Sequence, residues 1–571
     1  MAAKLALNQF SYAIKSFFKI VKNILRIWTL LAALITTTLI LLEFGFHLNT
    51  ANQHLFSTLY FYLYIFFIIT YFFLFITQKK PIQFLQTNAY ILVLFLPILN
   101  LKLPIVSPTQ SHQITLSILA FMQFTRHFQS LKKIKATTLF LLAFIFGIFI
   151  GSILLSLPIS LKNSQSLSYI DAIFTATSAI CVTGLSTLNI QETFSPIGQG
   201  IVIGLCQIGG LGIMTFSVLL SLILRKKISQ SSSQEIQKSY EAVTIKDTFS
   251  AIKFIFKFTF IAEIIGAIFI FINLSTTSFT PIERVGNAIF LSISAFCNAG
   301  FTLFNNSLIS QQSNSFLLLS ISGLIILGGL GFPVLFNLKT TQDQGKSWRY
   351  LKLNTKIALC VTGSLIILGT LTLWISEMQH AFAEMPLHTQ WINAFFLSVS
   401  SRTAGFNTLN FDLFYTSSVI ILLALMIIGA SPGSTGGGIK TTNFGLILIA
   451  FWQSIRSSPR LEFGGRTLPY QAILKIFSIL ILYLIGIFIF FYILLWTETL
   501  PPLTLLFETI SAFGTVGFSM GITTDLSKWG KLIIILAMFI GRMGPLTVAF
   551  ALSKEKEIKN YRFPEEKLTV M

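Results

Sequence analysis

Four short strings in this 571-residue sequence hold the residues best suited to chemistry, and that chemistry is coordination of a dehydrated cation by backbone oxygen. They read SAICVTGLST (178–187), SAFCNAGFTL (294–303), VSSRTAGFNT (399–408) and SAFGTVGFSM (511–520), and they align on Gly184, Gly300, Gly405 and Gly517. A phenylalanine stands ten residues before each glycine, at Phe174, Phe290, Phe395 and Phe507. The glycines recur at intervals of 116, 105 and 112 residues, which makes a fourfold internal repeat of about 110 residues. Glycine alone takes φ > 0 without steric cost, and that turn lets successive carbonyls face one way. Before the glycines stand Val182 and Thr183, Asn298 and Ala299, Thr403 and Ala404, and Thr515 and Val516; the small and β-branched types among them leave room for backbones to approach closely.

Each string needs an element that aims it. Half-length apolar pieces supply this at about 169–181, 284–297, 390–401 and 503–513. Each lies between two longer runs: 137–157 and 196–224, 250–273 and 314–336, 355–375 and 417–448, 471–496 and 530–552. The longer runs suffice to cross a bilayer, so the half-length pieces read as re-entrant helices. Their carbonyl ends carry partial negative charge. Irregular backbone at membrane depth is tolerated only where protein buries it or it lines a watery path. Four such segments converging on one axis would replace a cation's hydration shell with carbonyls.

Composition sets the same frame. The chain is 54% hydrophobic and 11% charged with a mean hydropathy of +0.78, against about a quarter charged in soluble domains. Large soluble domains are excluded. The net charge of +20 falls in clusters that flank the apolar runs: Lys15 to Arg26, Lys79 and Lys80, Arg126 to Lys135, Arg225 to Lys227, Lys339 to Lys356, Arg456 to Arg466, and the C-terminal tail. Loops such as 158–170 and 185–200 are almost free of Lys and Arg. That alternation is the inside-positive pattern of a multi-pass membrane protein with both termini cytoplasmic, and it removes nucleic acid as a partner. Ahead of the repeats, runs at 27–46 and 55–76, with a stretch at 85–127 broken by Pro97, Pro104 and Pro108, make an N-terminal module of about four spans. No cleavable signal peptide is evident. Cys181, Cys206, Cys297 and Cys360 form no CxxC pair and read as buried thiols. An enzyme would need convergent acids, His or Cys at membrane depth; the chain has six His and no HExxH.

The spans, half-helices and strings VTGLS, NAGFT, TAGFN and TVGFS together resemble the membrane subunit of the Trk/Ktr/HKT potassium uptake family over about 137–553. The resemblance implies a pseudo-fourfold pore in each subunit and a K⁺ filter at residues 182–184, 298–300, 403–405 and 515–517. It further implies a homodimer in the lipid bilayer. Some plant relatives that favour sodium carry Ser at the first filter position; Gly184 therefore argues for K⁺. A second motif, GASPGSTGGGIKTT (429–442), interrupts the run at 417–448. Pro432 with four glycines in Gly433, Ser434, Thr435, Gly436, Gly437 and Gly438 cannot sustain a helix, so this span opens into a loop. It nearly matches GxxxxGK[ST], but Ile439 is inserted and a span rather than a strand precedes it. In the family the equivalent loop is the gate. Arg542 would stand in the pore beside it, or else reach from a span end to the cytoplasm.

The expected fold is thus an all-α polytopic membrane protein of four span, pore-helix, span repeats. The divisions are 1–130 for the extension, then 131–235, 236–345, 346–462 with the gate loop, and 463–571 with a cytoplasmic tail. The chain itself would bind no cofactor, and K⁺ would be its cargo. The family's partner is a cytosolic ring of nucleotide-binding subunits; no strand–GxGxxG–helix unit is found here, so that partner would be a separate chain. A Na⁺- or H⁺-coupled transporter of a different fold is the alternative, and would show inverted repeats. Glu263, inside a full run, reads as a coupling site or as a structural partner. Arg402 either shapes the outer mouth or pairs with Glu384 or Asp412. The GGxG strings at Gly209 to Gly212 and Gly328 to Gly331 read as helix-packing positions.

Overall fold

The computed structural model describes residues 50–76, 136–162, 167–212, 245–274, 280–456 and 470–552, with scattered residues between 21 and 119 and the pairs 462–463 and 466–467. The described residues are almost entirely helical; β1 (Glu462–Phe463) pairs antiparallel with β2 (Arg466–Thr467). Of the expected span at 27–46, residues 28–29, 31–40 and 42–43 are described and helical, whereas the stretch at 85–127 lies largely outside the described residues, as do the tail and 213–244.

The chain divides into two units, Met1–Ile134 with Ser156–Ser166, and Lys135–Leu155 with Leu167–Met571. In the first, α1 (Thr50–Ile76) buries an aromatic seam of Tyr60, Tyr64, Phe67 and Tyr71. The Tyr64 hydroxyl donates to the Leu94 carbonyl at 2.7 Å, and the ring meets His112 edge-on at 4.8 Å.

The second unit runs α2 (Ala136–Ser156), α3 (Tyr169–Cys181), α4 (Pro196–Leu211), α5 (Ile245–Asn273), α6 (Pro281–Cys297), α7 (Ser315–Leu330) and α8 (Phe332–Asp343). It continues with α9 (Leu353–Glu377), α10 (Leu387–Ser400), α11 (Thr416–Ile427), α12 (Thr441–Ile455), α13 (Tyr470–Thr497), α14 (Pro502–Gly514), α15 (Lys528–Met543) and α16 (Pro545–Leu552). Starts are written into the sequence. Ser195 and Ser527 cap α4 and α15 with side-chain oxygens, Pro196 follows at the first helical position, and Thr280 with Glu283 forms a capping box on α6. Among the described residues α1, α5, α9 and α13 are long and apolar enough to cross a membrane. Their outer faces carry exposed Phe260, Ile264, Ile268, Phe488 and Trp496, a surface suited to lipid.

Two runs expected as continuous spans are interrupted, and so is the run at 417–448, where a loop is expected. The run at 314–336 bends by 90° between α7 and α8. Pro333 is the cause: it sits four residues after Gly329 and has no N–H for that carbonyl. Gly331 takes the corner at φ +86°. The run at 530–552 breaks the same way at Gly544 (φ +80°) before Pro545. The run at 417–448 stops at Ile427 and resumes at Thr441, with the glycine-rich loop between.

The half-helices α3, α6, α10 and α14 are lined by buried aromatic and aliphatic side chains. Phe174, Ile510, Phe507 and Phe513 share one apolar cluster, and Leu291, Phe296, Phe396 and Val399 share another. These clusters fix the angle at which each half-helix points inward.

Candidate functional site

Three of the half-helices end on a non-glycine residue in left-handed backbone. Val182 (φ 56°), Asn298 (φ 58°) and Thr515 (φ 50°) cap α3, α6 and α14, and Thr403 (φ 76°) takes the same hand after α10. For β-branched residues this is a true outlier, and such strain persists only where the surroundings over-determine it. All four are fully buried. Hydrogen bonds hold them: Thr183 N donates to Ser178 O at 2.8 Å, Ala299 N to Ser294 O at 2.7 Å, and Val516 N to Ser511 O at 2.8 Å. In the third segment the acceptor serine stands one residue closer to the glycine, and Ala404 N reaches Ser400 O at 2.9 Å.

The same serines then brace the segments from behind. Ser178 Oγ accepts from Gly184 N and Ser511 Oγ from Gly517 N, both at 3.1 Å. Ser294 Oγ donates to Phe301 O and Ser400 Oγ to Phe406 O, both at 2.7 Å. These serines were not among the expected site residues, although they stand at or near the head of all four strings.

The glycines close a circuit. A Cβ placed on Gly184 would fall 2.6 Å from Ala299 O, on Gly300 2.8 Å from Ala404 O, and on Gly405 2.5 Å from Val516 O. On Gly517 it would strike Thr183 O. Each segment therefore abuts the carbonyl just before the glycine of the next, and the fourth returns to the first. Every φ at these glycines is positive, from 71° to 97°. The Thr183, Thr403 and Thr515 hydroxyls are buried beside this ring with no hydrogen-bond partner among the described residues.

Directly against the ring lies the loop between α11 and α12. A Cβ on Gly436 would strike the Thr403 hydroxyl, and one on Gly437 the Thr515 hydroxyl. The loop satisfies its own backbone first: Gly429 N donates to Ile439 O at 3.0 Å and Ile439 N to Ile427 O at 3.1 Å. The rest is met by the α7–α8 corner. Ser431 N donates to Gly329 O at 3.0 Å, using the carbonyl that Pro333 frees, and Phe332 N donates to Gly433 O at 3.0 Å. Two basic side chains grip two further carbonyls of the loop. Arg542 donates to Thr435 O and, at 2.6 Å, to Gly209 O, while Lys440 Nζ donates to Gly436 O at 2.8 Å. Arg542 is thus held inward rather than reaching outward for water. Lys440 was foreseen only as part of a failed phosphate-loop match. Gly438 (φ +66°) and Gly433 (φ +67°) make the loop's turns, and Ser434 Oγ has no partner among the described residues.

Gly209 packs against Ile180 O, Gly328 against Phe296 O and Gly541 against Phe513 O so closely that no side chain would fit; these glycines seat the flanking helices on the half-helix ends. Arg402 is buried and donates to Thr362 O at 3.4 Å, with no ion pair to Glu384 or Asp412 among the described residues. Its position at the inner end of α10 turns it toward α9, away from the outer loops. Glu263 is buried with Oε1 unpartnered, and its backbone carbonyl accepts from Ser292 Oγ at 2.6 Å. Cys181, Cys206 and Cys297 are buried and free, and Cys360 is exposed rather than buried. Sequence reasoning missed two acids: Asp171, which pairs with Lys531 at 2.8 Å, and Glu508, inside α14.

Comparison with known proteins follows this geometry. A family model described as TrkH, cation transport protein, matches residues 109–562. The potassium/sodium uptake protein NtpJ of Enterococcus hirae is 36% identical over 444 residues, 76% of this chain and 97% of the relative. The Ktr system potassium uptake protein B of Bacillus subtilis is 38% identical over 427 residues, 74% and 94% of the two chains. The crystal structure of the potassium transporter TrkH from Vibrio parahaemolyticus superposes with a TM-score of 0.60 at 18% identity, covering 81% of this chain and 97% of that one.

Proposed function

The chain belongs to the TrkH family of cation transport proteins, and from that premise we propose that it takes up K⁺ through the ring at Gly184, Gly300, Gly405 and Gly517. It is a multi-pass membrane transporter, not an enzyme. The observation that carries the reading is the closure of the circuit: each glycine meets its neighbour's carbonyl with no space for a side chain. Four quarters, 131–235, 236–345, 346–462 and 463–571, would surround one axis in pseudo-fourfold order, with 1–130 as an added helical module.

Carbonyls of residues 182–184, 298–300, 403–405 and 515–517, with the unpartnered Thr183, Thr403 and Thr515 hydroxyls, would take the place of water around K⁺. Gly433 to Gly438 would form the gate under the inner end of the ring, held shut by Arg542 and Lys440. The positive charge of Arg542 there also raises the barrier to a cation. An inside-negative potential of 100 mV supplies about 2.3 kcal/mol per charge, equivalent to roughly fifty-fold accumulation. Uptake therefore needs no hydrolysis in this chain and no cofactor bound to it.

The B. subtilis relative's name places it in a system, which supports a separate cytosolic nucleotide-binding regulatory subunit as partner. The same reading gives a homodimer in the cell membrane with both termini cytoplasmic. The E. hirae relative is named for sodium as well as potassium, so Na⁺ is the second cation to test. Flux into proteoliposomes under separate K⁺, Na⁺ and pH gradients measures cargo and coupling together. The filter assignment is tested by Gly405→Ser: expected is loss of K⁺ uptake or of K⁺ over Na⁺ preference, and unchanged values for both would end it.

A further inference from the structure

Glu508 lies in the middle of α14, nine residues before Gly517, and its side chain is completely buried. Thr175, Leu291 and Phe396 stand nine residues before the other three glycines, so the acid is particular to the fourth segment. One carboxyl oxygen, Oε1, accepts from Thr523 Oγ1 at 2.5 Å. Thr523 Oγ1 is in turn 2.9 Å from Ser519 Oγ, which accepts from Gly521 N at 3.1 Å. The other oxygen, Oε2, has no hydrogen-bond partner, and no cation pairs with the acid, among the described residues.

Ser519 follows Gly517 by two residues, and the chain turns at Gly521 (φ +83°) before Thr523. The relay from Ser519 through Thr523 to Glu508 therefore ties the outward return of the fourth segment to its own half-helix. The first segment has a comparable tie, Thr187 Oγ1 donating to Asp171 at 2.8 Å, but that acid also holds Lys531. In the second and third segments the corresponding side chains bond, among the described residues, only to nearby backbone, Thr302 to Phe304 O and Asn407 to Leu409 O.

A fully buried acid is costly to keep. Here it sits behind backbone whose placement decides how well carbonyls replace a cation's water, and a displacement of about 0.5 Å is enough to spoil such a site. We propose that Glu508 is a specificity-determining positioning residue: acting through Thr523 and Ser519, it holds the outer end of the fourth segment where K⁺ is preferred to Na⁺. This rests on the reading of the glycine ring as the filter.

The test is K⁺ and Na⁺ flux through the purified full-length protein in proteoliposomes, for Glu508→Gln, Glu508→Leu, Thr523→Val and the Leu/Val double variant, with Gly405→Ser in parallel. Glutamine keeps an acceptor for Thr523 and is expected to hold the K⁺ over Na⁺ preference within about twofold. Leucine at 508 and valine at 523 are each expected to lower it about tenfold, and the double variant no further than either, as members of one network should. If both single variants fold and keep the wild-type preference, or if glutamine falls as far as leucine, the proposal is overturned. Should Glu508→Leu fail to fold, Thr523→Val decides alone. A preference lost in Gly405→Ser but kept in the 508 and 523 variants sinks only this proposal; a preference kept in Gly405→Ser as well sinks the filter reading beneath it.

Discussion

Alanine at each ring glycine should be far more damaging than alanine at the uncrowded glycines of the flanking helices α4 and α9. At Gly405 the new methyl would lie 2.5 Å from Val516 O and 3.0 Å from Gly517 Cα, with φ at +78°. Left-handed backbone costs a non-glycine residue about 1–2 kcal/mol, and overpacking a tight contact adds about 1–3 kcal/mol. The sum is about 2–5 kcal/mol, and the colliding atom is one of the carbonyls assigned to the ion. At 1.4 kcal/mol per decade even the lower figure weakens the site about thirtyfold. Controls come from the same structure: Gly200, Gly204 and Gly363 have nothing within 4 Å of an added Cβ. Alanine there removes helical strain of up to about 1 kcal/mol and touches nothing. The assay is K⁺ uptake, with apparent KM and K⁺/Na⁺ preference, normalised to folded protein in the membrane. Gly184→Ala, Gly300→Ala, Gly405→Ala and Gly517→Ala should each lose at least about thirtyfold in K⁺ affinity or lose uptake outright. The controls should stay within about twofold. Equal effects in the two groups would refute the reasoning, because the collision would then be irrelevant to transport.

Two further outcomes concern the gate. Arg542→Ala removes two charge-assisted bonds, each contributing about 1.5–3 kcal/mol, and should raise flux at least about tenfold; Arg542→Lys, which keeps charge but not the forked donor, should fall between. Flux that stays level or drops in folded Arg542→Ala protein would remove Arg542 from the gate. Deleting 433–438 should likewise raise flux, and a folded deletion variant with unchanged or lower flux would count against the loop as the barrier.

The glycine register was legible because one residue type meets one backbone need, and the loop at 429–442 because Pro432 and its glycines exclude a helix. What escaped reading depended on distance. Nothing in LLFETISAFG says that Glu508 would find Thr523, and nothing near Arg402 names Thr362 O as its acceptor. The bend at Gly331 was hidden for a different reason. Glycine and proline are common in membrane helices that stay straight, and only the acceptor left free by Pro333, taken up by Ser431 N, turns that pair into a corner. Alignment on glycine also concealed that the third segment is one residue shorter between serine and glycine, where Ser400 does the work done elsewhere by Ser178, Ser294 and Ser511.

The circuit of glycines has a consequence for how the protein is made. Its last link joins Gly517 to Thr183, and two others close the same seam: Lys531 with Asp171, 360 residues apart, and Arg542 with Gly209, 333 apart. A ribosome delivers the first, second and third segments long before the fourth exists. Until then the first three segments can form only an open arc, without the fourth face that shields irregular backbone at membrane depth from lipid. The ring cannot be assembled by halves, and its final segment works as a keystone whose arrival converts a costly intermediate into a sealed one.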